Sequence, residues 1–200
     1  HLDHVTSIPF LVDTVCWMRG SPIAVYGIKD TLDILRAHLF NWKVWPDFTQ
    51  IPDGENPFMV YREIEVGGTV EIGRRRITAL PANHTVPAVG YLLDSGRASL
   101  AYTGDTTTND GLWKAVNEVA NLRYLIIETA FSNRERQLAV ASKHLCPEML
   151  REELLKLQRE AEIYITHLKP GQIELTMQEI EECVGEYKPR MLQNNQVFEL

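Results

Sequence analysis

Hydrophobic positions change their period several times along the chain, and each change marks an element. Residues 5–18 are mostly apolar and predict a helix just after the opening His1-Leu2-Asp3-His4. Pro22–Ile28 predicts a short strand through Ile23-Ala24-Val25-Tyr26, and Lys29–Phe40 returns to helical spacing at Leu32, Leu35 and Leu39. An aromatic stretch from Phe40 to Phe48 and a turn-rich segment around Pro52-Asp53-Gly54 come next. The middle of the chain predicts consecutive strands at Phe58–Val66, Thr69–Ile72, Ile77–Pro81, Ala88–Asp94 and Ala98–Thr103. Gly67-Gly68, Gly73 and the turn Asp94-Ser95-Gly96 punctuate them, as antiparallel hairpins require. The pattern then alternates between helix at Leu112–Asn121, strand at Tyr124–Glu128, and helices over 132–142 and 147–161. Strand Ile163–Thr166, helix Ile173–Glu186 and a closing strand Val197–Leu200 follow. Hairpins followed by alternating helix and strand predict an α/β sandwich, with sheets covered by helices. No linker, repeat or low-complexity block interrupts residues 1–200, which therefore read as one domain.

Composition narrows the function classes. A chain of 200 residues that is 44% hydrophobic can bury one substantial core. Its formal charge of -7 argues against a general nucleic-acid binder, because gripping a phosphate backbone takes clustered cations. A small anionic substrate remains compatible, since bound metal ions reverse the local field. No apolar run reaches the roughly 18–20 residues that span a bilayer. Cys16, Cys146 and Cys183 are odd in number and far apart, which excludes a fully paired disulfide framework. They point to a reducing, cytoplasmic compartment, with the periplasm left open. The start on His1 rather than methionine leads us to expect a segment before residue 1.

Candidate chemistry sits beside turns and strand ends. His1, Asp3 and His4 fall within four residues. His84 follows the strand Ile77–Pro81, Asp105 follows Thr103-Gly104, and His167 closes the strand Ile163–Thr166. Each alone has a plain structural reading: an exposed histidine or a turn aspartate. Together they form a set of imidazoles and carboxylates suited to zinc and other borderline divalent ions.

The order His1-x-Asp3-His4, His84, Gly104-Asp105 and His167 resembles the ligand series of the metallo-β-lactamase superfamily. That family's first motif, His-x-His-x-Asp-His, would place one more histidine two residues before His1. A narrower resemblance, to class II 3′,5′-cyclic-nucleotide phosphodiesterases, covers nearly the whole chain. It is carried by His38-Leu39-Phe40-Asn41 with Trp45-Pro46-Asp47, by Glu128-Thr129-Ala130-Phe131-Ser132-Asn133-Arg134, by His144-Leu145 and by Thr166-His167-Leu168-Lys169-Pro170. The resemblance implies a metallo-β-lactamase-type αββα sandwich of two mixed sheets flanked by helices, with the N-terminal strands lying before residue 1. It implies two divalent ions, zinc foremost with manganese or iron as alternatives. His1 and His84 would hold the first ion; Asp3, His4 and His167 would hold the second; Asp105 would bridge them. Asp3, Asp105 and His144 would be the catalytic set, and water activated between the ions would open cAMP to 5′-AMP.

His144 is the candidate proton donor to the leaving 3′ oxygen, and also a substrate contact; a cap on the helix near Pro147 is its structural alternative. Trp42 and Phe131 are candidate stacking surfaces for a base, as is Trp45, with core packing as the alternative. His38 reads as structural, Asn41 and Asp47 as shaping their loop, and Glu128 as orienting a ligating histidine. Arg74-Arg75-Arg76 reads as a solvated turn. The expected partner is a small cyclic nucleotide, with neither membrane nor nucleic acid, and a homodimer is left open. Two alternatives stand beside this reading: a ribonuclease Z-like RNA-processing nuclease of the same fold, and a metal-depleted nucleotide-binding domain.

Overall fold

Apolar side chains in the first 65 residues close on one another as a core of their own, through Val12, Cys16, Leu32, Leu35, Phe40, Phe48 and Met59. The computed structural model describes residues 1–200 and divides into two compact units, His1–Glu65 and Val66–Leu200, where the sequence reads as one. In the first unit a single turn, α1 (Leu2–Val5), leads into α2 (Ser7–Val15), which tightens into a 3-10 turn at Cys16–Met18. This is the helix expected over 5–18. Strand β1 (Ile23–Gly27) precedes α3 (Lys29–Ile34), whose last turn widens to a π-turn at Leu35–Leu39. The spacing of Leu32 and Leu35 puts both on the buried face.

Strand β2 (Met59–Glu63) pairs in parallel with β1, with Ile23 opposite Met59. That corrects the expectation that the 58–66 strand opens a run of hairpins. A parallel pair needs a long crossover, which α3 and the loop over 40–58 supply. Gly67 and Gly68 serve elsewhere: Gly67 N donates to Ala79 O at 2.8 Å, and Ala79 N donates to Gly68 O at 3.0 Å. The loop is held by its own polar side chains. Asn41 Oδ1 accepts from the amides of Lys43 and Val44, its Nδ2 donates to Ala37 O, and Asp47 Oδ1 accepts from Thr49 N. Loop-shaping is what the sequence assigns to both residues.

The second unit is built on a seven-stranded sheet in chain order: β3 (Thr69–Ile72), β4 (Arg75–Pro81), β5 (Val89–Asp94), β6 (Ser99–Tyr102), β7 (Leu122–Glu128), β8 (Glu162–Thr166) and β9 (Arg190–Met191). Strands β3 to β6 are antiparallel hairpin neighbours, as expected. From β6 to β9 every pairing is parallel. The crossovers are helical: α4 (Asp110–Asn117), then α5 (Arg136–Ser142) with α6 (Pro147–Leu154), then α7 (Ile173–Val184). The result is an α/β fold with one mixed sheet and one parallel pair.

Period-two alternation decides which face each strand residue covers. Leu125, Ile127, Ile163 and Ile165 point into the main core with Leu112, Trp113, Met149, Leu150 and Ile180 from the helices. Tyr124, Ile126 and Tyr164 point the other way, into a smaller cluster. The C-terminal tail covers that second face, and here the sequence expectation fails. Val197–Leu200 is not a strand; β9 takes the edge position instead. Phe198 sits edge-on to the rings of Tyr124 and Tyr164, at 5.0 and 4.9 Å, while Val197 is exposed. The alternation is real, but Phe198 and Leu200 plug a sheet face rather than join a ladder. No helix is long and apolar enough to cross a membrane.

Candidate metal centre

Strand direction brings the candidate ligands together. Because β4 and β6 are both antiparallel to β5, β4 runs the same way as β6, β7 and β8. The carboxyl ends of these four strands therefore share one edge of the sheet, and His84, Asp105, Glu128 and His167 all leave or end there. In open α/β sheets this is the edge where ligands bind.

Local backbone sets each side chain. Gly104 has a φ of +62°, and a Cβ there would lie 2.8 Å from Val89 O, so only glycine turns the chain toward Asp105 this close to β5. His167 also adopts a positive φ, 66°, which costs a residue other than glycine on the order of 1–3 kcal/mol. That cost is paid where β8 ends, and it aims the imidazole at Asp105. His167 Nδ1 lies 3.3 Å from Asp105 Oδ1, and His84 Nε2 lies 4.0 Å from Asp105 Oδ2. Asp105 is buried.

A polar strap holds the loops that carry these groups. Asn83 N donates to Thr106 Oγ1 at 2.9 Å, Asn83 Nδ2 donates to Thr108 O, and Thr107 N donates to Asn83 O. Asn109 Nδ2 donates to Pro81 O, while Asn109 N donates to the buried Glu153 carboxylate. Lys143, itself at a left-handed φ of 55°, donates from Nζ to Asn83 Oδ1 at 3.0 Å and to His84 O at 3.3 Å. In return His84 Nδ1 donates to Lys143 O at 3.3 Å. A carbonyl only accepts, so Nδ1 carries the hydrogen and the Nε2 lone pair faces Asp105.

Glu128 and His144 form a buried pair at the same edge. His144 Nδ1 and Glu128 Oε1 are 2.7 Å apart, and Glu128 also accepts from Thr106 N and Leu145 N. Burial pushes the Glu128 carboxyl above its usual range, against the opposing pull of its hydrogen bond from His144. The His144 ring stacks on His167 at 5.0 Å and lies 4.9 Å from His84. The sequence marks Glu128 and His144 separately, and only the tertiary structure pairs them. Phe131 packs edge-on against His144 at 5.7 Å within the main core, so its ring supports that histidine and offers no open face for a base. Trp42, on the first unit, is 63% exposed; Trp45 is partly buried against Phe10. His38 is exposed. Arg74 and Arg75 are exposed at their turn, and Arg76 pairs with Asp94.

His1, Asp3 and His4 cluster on the first unit around α1. His1 Nε2 lies 3.2 Å from Asp3 Oδ1, and the rings of His1 and His4 are 4.6 Å apart. In the second unit the ligand atoms of His84, Asp105 and His144 lie within 4.8 Å of one another. Two imidazoles converging on a buried carboxylate fit a borderline divalent cation.

A family model described as "Beta-lactamase superfamily domain" matches residues 1–181. A protein of Yersinia pestis called a probable 3′,5′-cyclic-nucleotide phosphodiesterase is 29% identical, over 86% of this chain and 55% of its own length. The chain thus spans about half of that relative. Among solved structures, unliganded yeast PDE1 superposes with a TM-score of 0.79 at 17% identity, covering 96% of this chain and 64% of its own. The metallo-β-lactamase fold protein YhfI of Bacillus subtilis gives 0.76 at 16%, covering 100% of this chain and 74% of its own. At these identities the two structures speak for the fold alone.

Proposed function

The chain belongs to the β-lactamase superfamily, and on that premise we propose that it is a metal-dependent phosphodiesterase that opens 3′,5′-cyclic nucleotides, cAMP to 5′-AMP. One observation carries the reading: His84, Asp105 and His167 meet at the carboxyl edge of the sheet, with the Glu128–His144 pair beside them. The name of the Yersinia relative supplies the substrate class. In this reading His84, Asp105 and His167 hold divalent ions, zinc foremost, and His1, Asp3 and His4 are a further donor set of the same chemistry. When bound, such ions polarise a phosphoryl oxygen and bring the pKa of a water toward neutrality.

The chain's own residues do the rest. His84 presents Nε2 because its Nδ1–H is held by Lys143 O. As the imidazolium, with a proton on each ring nitrogen, His144 gives its Nε2 proton to the departing 3′ oxygen while its Nδ1–H stays on Glu128. Glu128 orients the ring and exchanges no proton with it; its place is set by two backbone amides. Trp42, on the first unit, presents an exposed indole face of the kind on which bases stack.

Metal analysis by mass spectrometry, with hydrolysis assays on cAMP, cGMP and a precursor tRNA, tests the proposal. Bound divalent metal and cyclic-nucleotide turnover are expected. Asp105→Ala should lose both, whereas His144→Ala should keep its metal and lose about 10²–10⁴-fold in turnover. Cleavage of the precursor tRNA alone would replace this reading with the RNA-processing one. Nucleotide binding by protein that takes up no metal would replace it with a binding domain.

A further inference from the structure

Lys169 is a cation at the site edge that the metal chemistry does not use. It stands two residues past His167, where β8 has ended, and its backbone is fixed: Lys169 N donates to Ala130 O at 3.2 Å and Gln172 N donates to Lys169 O at 3.3 Å. The side chain folds back over the Phe131 ring, with Nζ 5.7 Å from its centroid. Nζ ends 3.2 Å from His167 Nε2, to which it donates. Phe131 is fully engaged in the core, so the lysine stem lies on a fixed surface that directs its end into the site.

Its partners set it apart from the other partly buried lysines of this unit. Lys143 donates to Asn83 Oδ1 and His84 O, and Lys156 is paired with Asp110 and Glu153. Lys169 meets only an imidazole nitrogen and an aromatic face. A partly desolvated ammonium is expensive without an anion, and neither partner carries negative charge. Its place beside the ligand set also works against cation binding, because like charges repel. An ion shared with Asp105 would take His167 Nδ1, the nitrogen that faces Asp105, and would leave the ring hydrogen on Nε2, so the ammonium would lose its acceptor. The partner that answers both the lysine and the ions is an anion held between them.

We propose that Lys169 is the substrate-binding cation of this site, reading the negative charge of a phosphoryl group and so selecting anionic phosphate esters over neutral esters. This rests on the proposed phosphodiesterase reading for its substrate, although the binding of an anion is testable without it. Lys169 holds the anion in ground state and transition state alike, so it acts on KM rather than on kcat.

The test uses the metal-loaded protein, bis(p-nitrophenyl) phosphate and cAMP as substrates, and inorganic phosphate as a calorimetric probe. Loss of one charge-assisted hydrogen bond in Lys169→Gln should raise KM and the phosphate Kd by about 10- to 100-fold, with kcat and metal content near wild type. Lys169→Arg, which keeps the charge, should recover most of the loss, and added salt should narrow the gap between wild type and Lys169→Gln. Wild-type KM and phosphate Kd in Lys169→Gln would overturn the proposal. So would a drop in its metal content, which would make the lysine a prop for His167. Wild-type protein that binds phosphate through Lys169 but cleaves no phosphodiester would uphold anion binding and overturn the phosphodiesterase reading. Protein that neither binds phosphate nor cleaves a diester would overturn both.

Discussion

At the scale of single residues, the clearest charge effects lie away from the candidate site. Asp94, at the end of β5, accepts from Asn121 Nδ2, from Gly96 N and from Ser99 Oγ, and it pairs with Arg76. The Asn121 hydrogen bond first, and then Arg76, hold its carboxyl well below the usual carboxylate range. A carboxylate whose folded pKa is depressed stabilises the fold above its unfolded pKa and loses that contribution as pH falls through the folded one. Asp94→Asn should therefore cost about 1–3 kcal/mol at neutral pH in denaturant titrations. The cost should shrink below about pH 4, where the unfolded carboxylate takes up its proton. A gap unchanged in strong acid would mean that shape rather than charge matters at this position.

At the scale of elements, the site depends on how α5 ends. Lys143 occupies the left-handed position after that helix, where glycine is the residue of least strain. The chain tolerates the strain because the side chain ties the His84 loop to the segment that carries His144. Lys143→Gly should remove a backbone cost of about 1 kcal/mol and lose the tie, leaving overall stability near wild type. Turnover should nonetheless fall by about 10- to 100-fold, since small misplacements of reacting groups are costly. Melting curves beside steady-state kinetics check this, and a parallel loss of stability and activity would contradict it. None of these supports was legible in the sequence. Lys143, Asn83 and Asn109 act through partners some 25 to 60 positions away, and no local period records such a partner.

At the scale of the whole molecule, each unit has its own core, and the candidate ligands of the second unit gather at one edge of its sheet. Imidazoles around a buried carboxylate bind a cation only when the fold holds them together, so metal binding and folding are linked. An ion held at 1,000 times its Kd adds about 4 kcal/mol to stability. Stripping metal with a chelator should therefore lower Tm by on the order of 10 °C in a chain of this size. Zinc should restore it. A melting curve indifferent to chelation would speak against a resident ion.

Most elements were legible in the sequence because their signals are local: Leu32 and Leu35 mark a buried helix face, and Gly73 and Gly96 mark hairpin turns. The candidate ligands are marked in the sequence too, since His84, Asp105 and His167 each stand just past a strand. The sequence did not determine the partner of β2 or the fate of Phe198, because pairing and docking depend on which apolar faces remain uncovered after collapse. Nor did it place Glu128 against His144, or the Lys169 ammonium beside His167. Periodicity along the chain fixes which way a side chain faces. Only the parallel run of β4, β6, β7 and β8 fixes what it meets there.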